Sequence, residues 1–363
     1  MTQAISLSAV PRPAGGYFFE DYAVGRRFHH VTPRTLTDGD ASLYIGLTGA
    51  RQPVHCCEPL ARALGHRARP PDDFLVFNVA FGKTVPDVSY NAIANLGYAD
   101  VRFMAPVYAG DTITCESVVL GTKENSDGKS GVVYVRSRAF NQESAEVLAW
   151  TRWVMVAMRK ARSGERVSVP VVPALPREVD PSGFSVPEFL KAIALQPHYT
   201  GSSLFWEDYT PGEVIHHPGG MTVEESDHMT ATRLYQNTAR IHFDAFLARD
   251  NPFGKRLVYG GHVISLCRAL SYDGLENAFA VAAIHAGSHT HPTFAGDTLY
   301  CRHVVTAREK IPGREDVGAL RLRMIGAKNV DLAKLPDLAP GERNEAVVLD
   351  LDYSVLIPRR QKP

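Results

Sequence analysis

A histidine, an asparagine and a pair of glycines form the combination in this sequence best suited to chemistry. Asn237 precedes His242 by five residues, and Gly260 and Gly261 follow within an apolar run. An imidazole, with an ordinary pKa of about 6.5, can take and return a proton near neutral pH. An amide cannot act as a base, but it can hold water by hydrogen bonds. Because glycine lets backbone N–H groups approach an oxygen closely, the pattern indicates proton transfer beside a bound oxygen atom.

Two arginines near this segment could bind an anionic group. Arg233 and Arg240 lie seven residues apart, which on one continuous helix places them two turns apart on the same face. A guanidinium group matches a carboxylate with two parallel hydrogen bonds. We therefore predict that these arginines bind substrate, together with Gly260 and His262. The alternative is that both are solvated helix arginines.

Other histidines and cysteines do not form a complete metal site in the sequence. Two groups have the residue types of metal ligands: His55 with Cys56 and Cys57, and His285 with His289 and His291. The first group lacks a second cluster to complete a tetrahedral set, and no carboxylate or thiol set accompanies the second. We predict no metal and no cofactor, and we assign the second group to pocket lining or packing. His55 is more typical of a hydrogen-bonded core residue.

The chain repeats itself. Similar sequence segments recur in the same order at an offset of 186 or 187 residues: Phe19–Tyr22 corresponds to Trp206–Tyr209, His55 to His242, and Pro106–Ile113 to Pro292–Leu299. Such self-similarity predicts two copies of one fold. We predict an N-terminal repeat over 1–160, a proline-rich linker over 161–200, and a C-terminal repeat over 201–363 that holds the site.

Within each repeat the pattern predicts helix followed by antiparallel strands. Apolar residues occur at helical spacing over Gly39–Gly49 and Glu225–Phe246, and each stretch leads toward its histidine. The runs that predict strands are Thr112–Leu120, Val132–Phe140, Trp150–Met158, Leu299–Val305, Leu320–Ile325 and Val347–Ile357. The predicted fold class is α+β, with an antiparallel sheet wrapped around a central helix in each repeat.

Composition limits the partners. Lys and Arg total 39, as do Asp and Glu, so no net field would attract nucleic acid or an anionic membrane. The sequence shows no run of about 18 apolar residues and no apolar leader with a cleavage site. Five cysteines without regular spacing predict reduced thiols. We expect a cytoplasmic protein that binds neither nucleic acid nor membrane.

The segments around both histidines resemble the MaoC-like dehydratases and (R)-specific enoyl-CoA hydratases. The motif of that family reads Gly-Asp-x-Asn-Pro-(Ile/Leu)-His. Gly49–His55 keeps the glycine, proline and histidine but has Ala50 at the acid position, whereas Gln236–His242 has Asn237 there. The resemblance implies a double hotdog fold, a CoA thioester substrate and hydration of an enoyl double bond.

Longer sequence segments resemble a two-repeat branch of this family, the mesaconyl-CoA hydratases. The matching segments are Phe81–Asp87, Asn91–Tyr98, Ala231–Arg240, Val258–His262 and Phe294–Thr298. The branch has asparagine at the acid position, as here. The resemblance implies reversible hydration of mesaconyl-CoA, in which His242 transfers the proton, Asn237 holds the water and Gly261 is the oxyanion donor.

The first repeat is predicted to be non-catalytic. Ala50 replaces the acid, and an alignment of Leu75–Val79 with Leu257–Gly261 places Asn78 and Val79 against the glycine pair. Without the glycines there is no close approach for a thioester oxygen. We expect this repeat to form a wall for the CoA or the acyl group.

Several alternatives stay open at this point. The substrate could be another enoyl-CoA, or the protein could be a hotdog thioesterase or a non-catalytic acyl-CoA-binding module. A nearby carboxylate could replace the missing acid, from among Glu224, Glu225, Asp227 and Asp244. Asn237 could instead be a turn residue. We expect a homo-oligomer, because hotdog units commonly associate.

Overall fold

A computed structural model describes residues 12–162 and 169–360 of the chain. Its strands are β1 (Arg27–Thr35), β2 (Ala92–Phe103), β3 (Thr112–Glu124), β4 (Ser130–Phe140), β5 (Glu146–Ala157), β6 (Val214–Thr222), β7 (Ala280–Ser288), β8 (Thr298–Lys310), β9 (Val317–Lys328) and β10 (Val347–Pro358). They form one antiparallel sheet in the order β1-β3-β4-β5-β2-β7-β10-β9-β8-β6. The six predicted strands are confirmed, and β1, β2, β6 and β7 are additional.

The helices are α1 (Asp38–Thr48), α2 (Pro53–Cys56), α3 (Glu58–Ala63), α4 (Asp73–Val88), α5 (Pro197–Thr200), α6 (Glu225–Leu234), α7 (Arg240–Phe243), α8 (Ala245–Ala248) and α9 (Gly260–Leu270). The prediction of α1 is confirmed, but the prediction of one helix over Glu225–Phe246 is wrong. The chain leaves α6 at Leu234 and turns at Gln236, which has a positive φ of 51°. Among the described residues, no helix is long and apolar enough to cross a membrane.

The two repeats meet edge to edge at the middle of the sheet. Strand β2 of the first repeat pairs with β7 of the second, with Tyr98 opposite Gly287 and Arg102 opposite Ala283. The five strands on each side occur in equivalent order, which confirms the α+β class with a repeated antiparallel sheet. The segment between the repeats packs on this sheet, where the backbone N–H of Val179 donates to Nδ1 of His285 at 2.9 Å.

The central helices of the two repeats, α4 and α9, lie against each other inside the sheet. Both are buried around nearly their whole circumference and consist mostly of apolar residues. Asp72 caps α4 by accepting a hydrogen bond from the N–H of Phe74 at 2.9 Å. The amide nitrogen of Asn78 on α4 donates to the carbonyl of Gly261 at 3.2 Å and to Oγ of Ser265 at 3.0 Å.

A close approach at Gly82 of α4 gives the first testable prediction. A methyl group at Gly82 would overlap the carbonyl oxygen of Tyr235, in the turn that follows α6. Gly82→Ala should therefore lower the free energy of unfolding by about 1–3 kcal/mol, the usual cost of overpacking. Gly46→Ala is the matched control, because Gly46 is exposed on α1 with open space around it. It should stabilise the protein by about 0.5–1 kcal/mol. Urea denaturation of both variants measures the difference, and equal effects would contradict the packing argument.

Candidate active site

The segment between α6 and α9 carries the predicted catalytic residues. After α6 ends, the N–H of Asn237 donates to the carbonyl of Thr232 at 3.1 Å, and α7 begins three residues later. The ammonium group of Lys83 on α4 fixes this turn from the other repeat, by donating to Oε1 of Gln236 and, at 2.9 Å, to the carbonyl of Thr32. The position of the segment therefore depends on contacts that the two repeats make with each other.

His242 on α7 is held in one orientation. Its Nδ1 lies 3.0 Å from the carbonyl oxygen of Leu257, so Nδ1 carries the proton and Nε2 has a free lone pair. Burial lowers the pKa of His242 to about 4, and the charge of His228 lowers it further, while the bond to Leu257 opposes the shift. The imidazole is therefore neutral at pH 7 and can accept a proton through Nε2.

Asn237 closes a turn with one end of its amide. Its Oδ1 accepts a hydrogen bond from the N–H of Ala239 at 3.0 Å, and the residue is only 4% exposed. The turn geometry considered from the sequence is thus present. It uses the carbonyl end, which is the end of the amide that bonds to the described part of the chain, so Nδ2 is left for another partner. Asn237 is accordingly placed to donate to a water molecule rather than to accept from it.

The glycine pair begins α9. Gly260 and Gly261 occupy its first turn, where backbone N–H groups lack intrahelical acceptors and can bind a negatively charged oxygen. A side chain at Gly260 would overlap the ring of His289, and one at Gly261 would overlap Oδ1 of Asn78. Both positions therefore need glycine for packing as well. A substitution at Gly261 would disturb the contact between α4 and α9 in addition to any effect on catalysis.

Aromatic rings connect these parts of the site. The ring of Tyr259, the residue before the glycine pair, lies 5.6 Å from the ring of His242 and 5.9 Å from that of Tyr235, measured between centroids. Tyr235 in turn belongs to the turn that leads to Asn237. His242, the glycines and the asparagine turn thus surround Tyr259 at the N-terminal end of α9.

Three of the predicted substrate-binding residues lie apart from one another: Arg233, Arg240 and His262. Arg233 ends α6 and Arg240 starts α7, so the prediction of a shared helix face is wrong. Both are exposed, and the guanidinium group of Arg240 lies 5.0 Å above the ring of Tyr90 in the first repeat. His262 is 1% exposed, and its Nδ1 lies 3.4 Å from the hydroxyl of Tyr235.

The carboxylates considered as substitutes for the missing acid have other partners or lie at the surface. Glu225 forms an ion pair with Arg256, whose hydrogen bond, together with its charge, lowers the pKa of the carboxyl. Asp244 caps α8 by accepting from the N–H of Leu247 at 2.9 Å. Asp227 accepts from the hydroxyl of Ser226, and Glu224 is exposed before α6. Sequence reasoning missed Arg256, whose side chain is mostly buried and which donates to the carbonyl of Phe243 at 3.2 Å.

The first repeat keeps the histidine arrangement but lacks the glycines. Nδ1 of His55 lies 3.2 Å from the carbonyl of Pro70, fifteen residues later, as His242 does from Leu257. Helix α4 begins at Asp73, 187 residues before Gly260. Asp73 and Phe74 therefore stand at the positions of the glycine pair.

The expected match of Asn78 and Val79 with the glycine pair is wrong, because the sequence alignment was displaced by five residues. Oδ2 of Asp73 accepts from the N–H of Val281 at 2.7 Å, and burial raises the pKa of this carboxyl to about 6. His55 and Asp73 line an otherwise mostly apolar cavity. The N–H of Phe74, at the position of Gly261, already donates to Oδ1 of Asp72 at 2.9 Å, and a negatively charged Asp73 beside it would repel an oxyanion.

A third group of histidines forms part of the core. Nε2 of His217 lies 2.8 Å from Nδ1 of His303, whose Nε2 lies 2.9 Å from the hydroxyl of Tyr353, and Cys301 is adjacent. Nδ1 of His217 lies 2.7 Å from the carbonyl of Asp273. Every ring nitrogen of the two histidines thus has a hydrogen-bond partner without a metal ion.

Comparison with known proteins gives consistent matches along the chain. A family model described as mesaconyl-CoA hydratase matches residues 4–332. The chain is 49% identical over 355 residues to the β-methylmalyl-CoA dehydratase of Chloroflexus aurantiacus, covering 98% of this chain and 100% of that protein. It is 46% identical over 346 residues to the mesaconyl-CoA hydratase of Cereibacter sphaeroides, covering 95% of this chain and 98% of that one.

Solved structures agree with the fold. A MaoC domain protein dehydratase from Chloroflexus aurantiacus matches with a TM-score of 0.92 and 49% identity, covering 98% of this chain and 100% of that one. A Mycobacterium tuberculosis protein described as having a double hotdog fold matches with a TM-score of 0.76 at 24% identity, covering 96% and 100%. The double hotdog fold predicted from the sequence is confirmed.

The unequal repeats predict unequal effects of mutating the two histidines. His242→Ala should lower kcat by about 10²–10⁴-fold, because it removes the group that accepts the proton. His55→Ala should retain most of the activity, since in its repeat the N–H at the Gly261 position already donates to Asp72 and Asp73 lies beside it. Steady-state kinetics of both variants, with circular dichroism to confirm folding, tests this assignment. Comparable losses in the two variants would contradict it.

The lowered pKa of His242 predicts the acid limb of the pH profile. A general base must be neutral, and burial keeps this imidazole neutral down to a pH of about 4. The value of kcat/KM should therefore be constant through pH 6 and fall only as the pH approaches 4. Rates measured from pH 4 to 8, with recovery of activity on return to pH 7 as the control for unfolding, would show this. An acid limb centred near the ordinary value of about 6.5 would contradict it.

Proposed function

This chain belongs to the mesaconyl-CoA hydratase family and is a hydro-lyase of CoA thioesters, and we propose that its second repeat catalyses the reversible hydration of mesaconyl-CoA to β-methylmalyl-CoA. The observation that carries the assignment to this repeat is a neutral His242, with a free Nε2, beside the glycine-led start of α9. In the first repeat the same helix start carries Asp73.

The proposed reaction uses three groups of the second repeat. Nε2 of His242 takes a proton from water as the water oxygen bonds to Cβ of the thioester. The amide Nδ2 of Asn237 donates a hydrogen bond that orients this water. The N–H of Gly261, at the start of α9, donates to the thioester oxygen, where negative charge develops as the enolate forms. In the simplest form of the reaction, His242 then returns its proton to Cα.

The free carboxylate of mesaconyl-CoA requires a positively charged partner. Burying that charge unpaired would cost several kcal/mol. We propose Arg233 or Arg240 for this role, with Gly260 and His262 lining the acyl site. Support comes from Arg240, which lies at the contact between the repeats above Tyr90. Both arginines reach solvent, which fits a substrate whose CoA part extends outward.

The same proposal includes the partners, the oligomeric state and the location of the protein. The substrate is a CoA thioester, and we predict neither a nucleic-acid nor a membrane partner for a chain with equal numbers of acidic and basic residues. A homo-oligomer and a cytoplasmic location stay predictions. Gel filtration with light scattering would measure the oligomeric state.

Substrate discrimination tests the arginine assignment. Replacing the true carboxylate partner by Gln should raise KM for mesaconyl-CoA by about tenfold or more, because a paired charge is lost, and should leave crotonyl-CoA nearly unaffected. Loss of the conjugated enoyl absorbance follows both substrates. Arg249→Gln is the control, an exposed arginine beside Phe246. If Arg233→Gln and Arg240→Gln slow both substrates equally, the arginines bind the CoA phosphates or are structural. No conversion of mesaconyl-CoA by the unmodified protein would overturn the proposed function.

A further inference from the structure

Hydration moves protons at two places on the substrate. The catalytic segment supplies His242 as a base, whereas burial raises the pKa of Tyr259, the other titratable group next to it, well above its ordinary value. A proton leaves water near Cβ, and another arrives at Cα. The acid position holds Asn237, which cannot transfer a proton, and Asp244 and Glu225 are engaged elsewhere. A second acid–base residue near the glycines would complete the site.

His289, just after β7, lies at the glycine pair. Its ring packs so closely on Gly260 that a methyl group there would overlap Nε2 and Cε1. The imidazole is only partly exposed, and burial lowers its pKa to about 4, with the charge of His242 lowering it further. His242 and His289 therefore interact electrostatically. The start of α9, at Gly260, lies against the ring of His289.

Tyr98 of the first repeat fixes which nitrogen of His289 carries the proton. The hydroxyl of Tyr98 lies 3.1 Å from Nε2 of His289, and the two rings meet edge to face at 83°. Tyr98 is 1% exposed and has no other hydrogen-bond partner in the described part of the chain. The hydroxyl of Tyr98 therefore donates to Nε2 of His289, because a buried hydroxyl donor without an acceptor would lower the stability of the protein. Nδ1 then carries the ring proton of His289, whose side chain bonds within the described residues through Nε2.

A buried arginine lies beside Tyr98. Arg152 stands directly opposite Tyr98 in the pairing of β2 with β5 and is fully buried. Its guanidinium donates to the hydroxyls of Thr84 at 2.9 Å and Ser89 at 3.3 Å, and no carboxylate of the described chain lies within ion-pair distance. Burial raises the pKa of Tyr98, and the charge of Arg152 opposes that shift. The arginine therefore favours negative charge on the Tyr98 oxygen.

Resting on the proposed function, we propose that His289 is the catalytic residue that delivers the proton to Cα, and that Tyr98 of the first repeat resupplies His289. The first repeat then contributes to the chemistry as well as to the walls of the site. This assignment replaces the simplest form of the reaction, in which His242 serves both carbons.

The proton balance of the hydration direction is complete with these groups. The water oxygen bonds to Cβ, its proton goes to Nε2 of His242, and the π electrons move to the thioester oxygen. The enolate then takes the Nδ1 proton of His289 at Cα, while the phenol proton of Tyr98 moves to Nε2 of His289. The remaining negative charge lies on Tyr98 beside Arg152. The proton on His242 returns to Tyr98 through solvent, so that the substrate gains one water and the enzyme is restored.

Proton exchange on a saturated thioester separates the two histidines. Methylsuccinyl-CoA, the saturated analogue of mesaconyl-CoA, has no hydroxyl to eliminate, so exchange at Cα needs only the group that serves Cα. For exchange, the ring proton of His289 lies on Nε2 and is donated to the Tyr98 oxygen, so that Nδ1 takes the Cα proton, the ring becomes an imidazolium, and a deuteron is returned to Cα after exchange with solvent. Incubation in D₂O followed by mass spectrometry measures deuterium uptake. We expect uptake with the unmodified protein and with His242→Ala, and a loss of about 10²-fold or more with His289→Gln.

Two further variants separate chemistry from structure. Tyr98→Phe keeps the ring but removes the resupplying hydroxyl, so it should slow exchange about tenfold or more. His291→Gln is the matched control, because His291 lies on the same loop and its Nδ1 is 2.8 Å from the carbonyl of Val347. It should exchange at the unmodified rate. Thermal denaturation of each variant identifies any loss that comes from unfolding, and His289→Asn provides a second folded variant if His289→Gln is unstable.

Three results would overturn the proposal. They are an undiminished exchange rate in His289→Gln, loss of exchange in His242→Ala with retention in His289→Gln, and absence of exchange in the unmodified protein. Hydration of mesaconyl-CoA is measured separately on the same preparations. Exchange without hydration would refute the proposed function but support the role of His289 in proton transfer at Cα. Hydration without exchange would refute the role of His289 but support the proposed function.

Discussion

The packing of α4 against α9 is the contact on which the rest of the structure depends. Asn78 donates across this interface to Gly261, and Gly82 lies against the carbonyl of Tyr235. Neither contact tolerates a larger residue on the glycine side. The first places the N-terminal end of α9, and the second places the turn that carries Asn237. A protein interior is close-packed, so a shift at either contact would be transmitted to the site.

The two repeats are copies of one scaffold that differ in the residues at the start of the central helix. Both retain a histidine whose Nδ1 contacts a carbonyl fifteen residues later, which holds the imidazole in one orientation. At the start of the following helix, one copy has Gly260 and the other Asp73. A backbone N–H without another acceptor can stabilise an enolate oxygen, whereas the N–H of Phe74 in the first repeat already donates to Asp72, and the carboxyl group of Asp73 opposes negative charge there. The difference between the repeats therefore comes from the helix start more than from the histidine.

The first repeat supports the site of the second through residues far away in sequence. Lys83 holds the turn at Gln236, and Tyr98 reaches His289 across the junction of β2 and β7. Arg152 lies behind Tyr98 as a buried positive charge. Such contacts give a reason for the two repeats to remain in one chain, because a separated second repeat would lose the groups that orient its catalytic segment.

The fold was largely predictable from the sequence, because period-two alternation and the internal repeat are local properties that survive in any context. Val133 and Val135 are buried between the partly exposed Tyr134 and Arg136, as their alternation requires. Helix limits were less predictable. The apolar spacing over Glu225–Phe246 continues through a turn, because packing of that turn on α4 overrides helical preference.

The sequence by itself determined the family, the two-repeat organisation and the choice of Asn237, His242 and Gly261 as site candidates. It could do so because long sequence segments are specific enough to identify a family and the positions of its motif. Only the tertiary structure decided that Arg233 and Arg240 lie on separate helices and that Asp73 stands where the glycines would be. It also brought Tyr98 on β2 of the first repeat together with His289, which follows β7 of the second. Contacts between strands depend on sheet order and register, and no spacing along the chain records which residue of β2 will face the residue that follows β7.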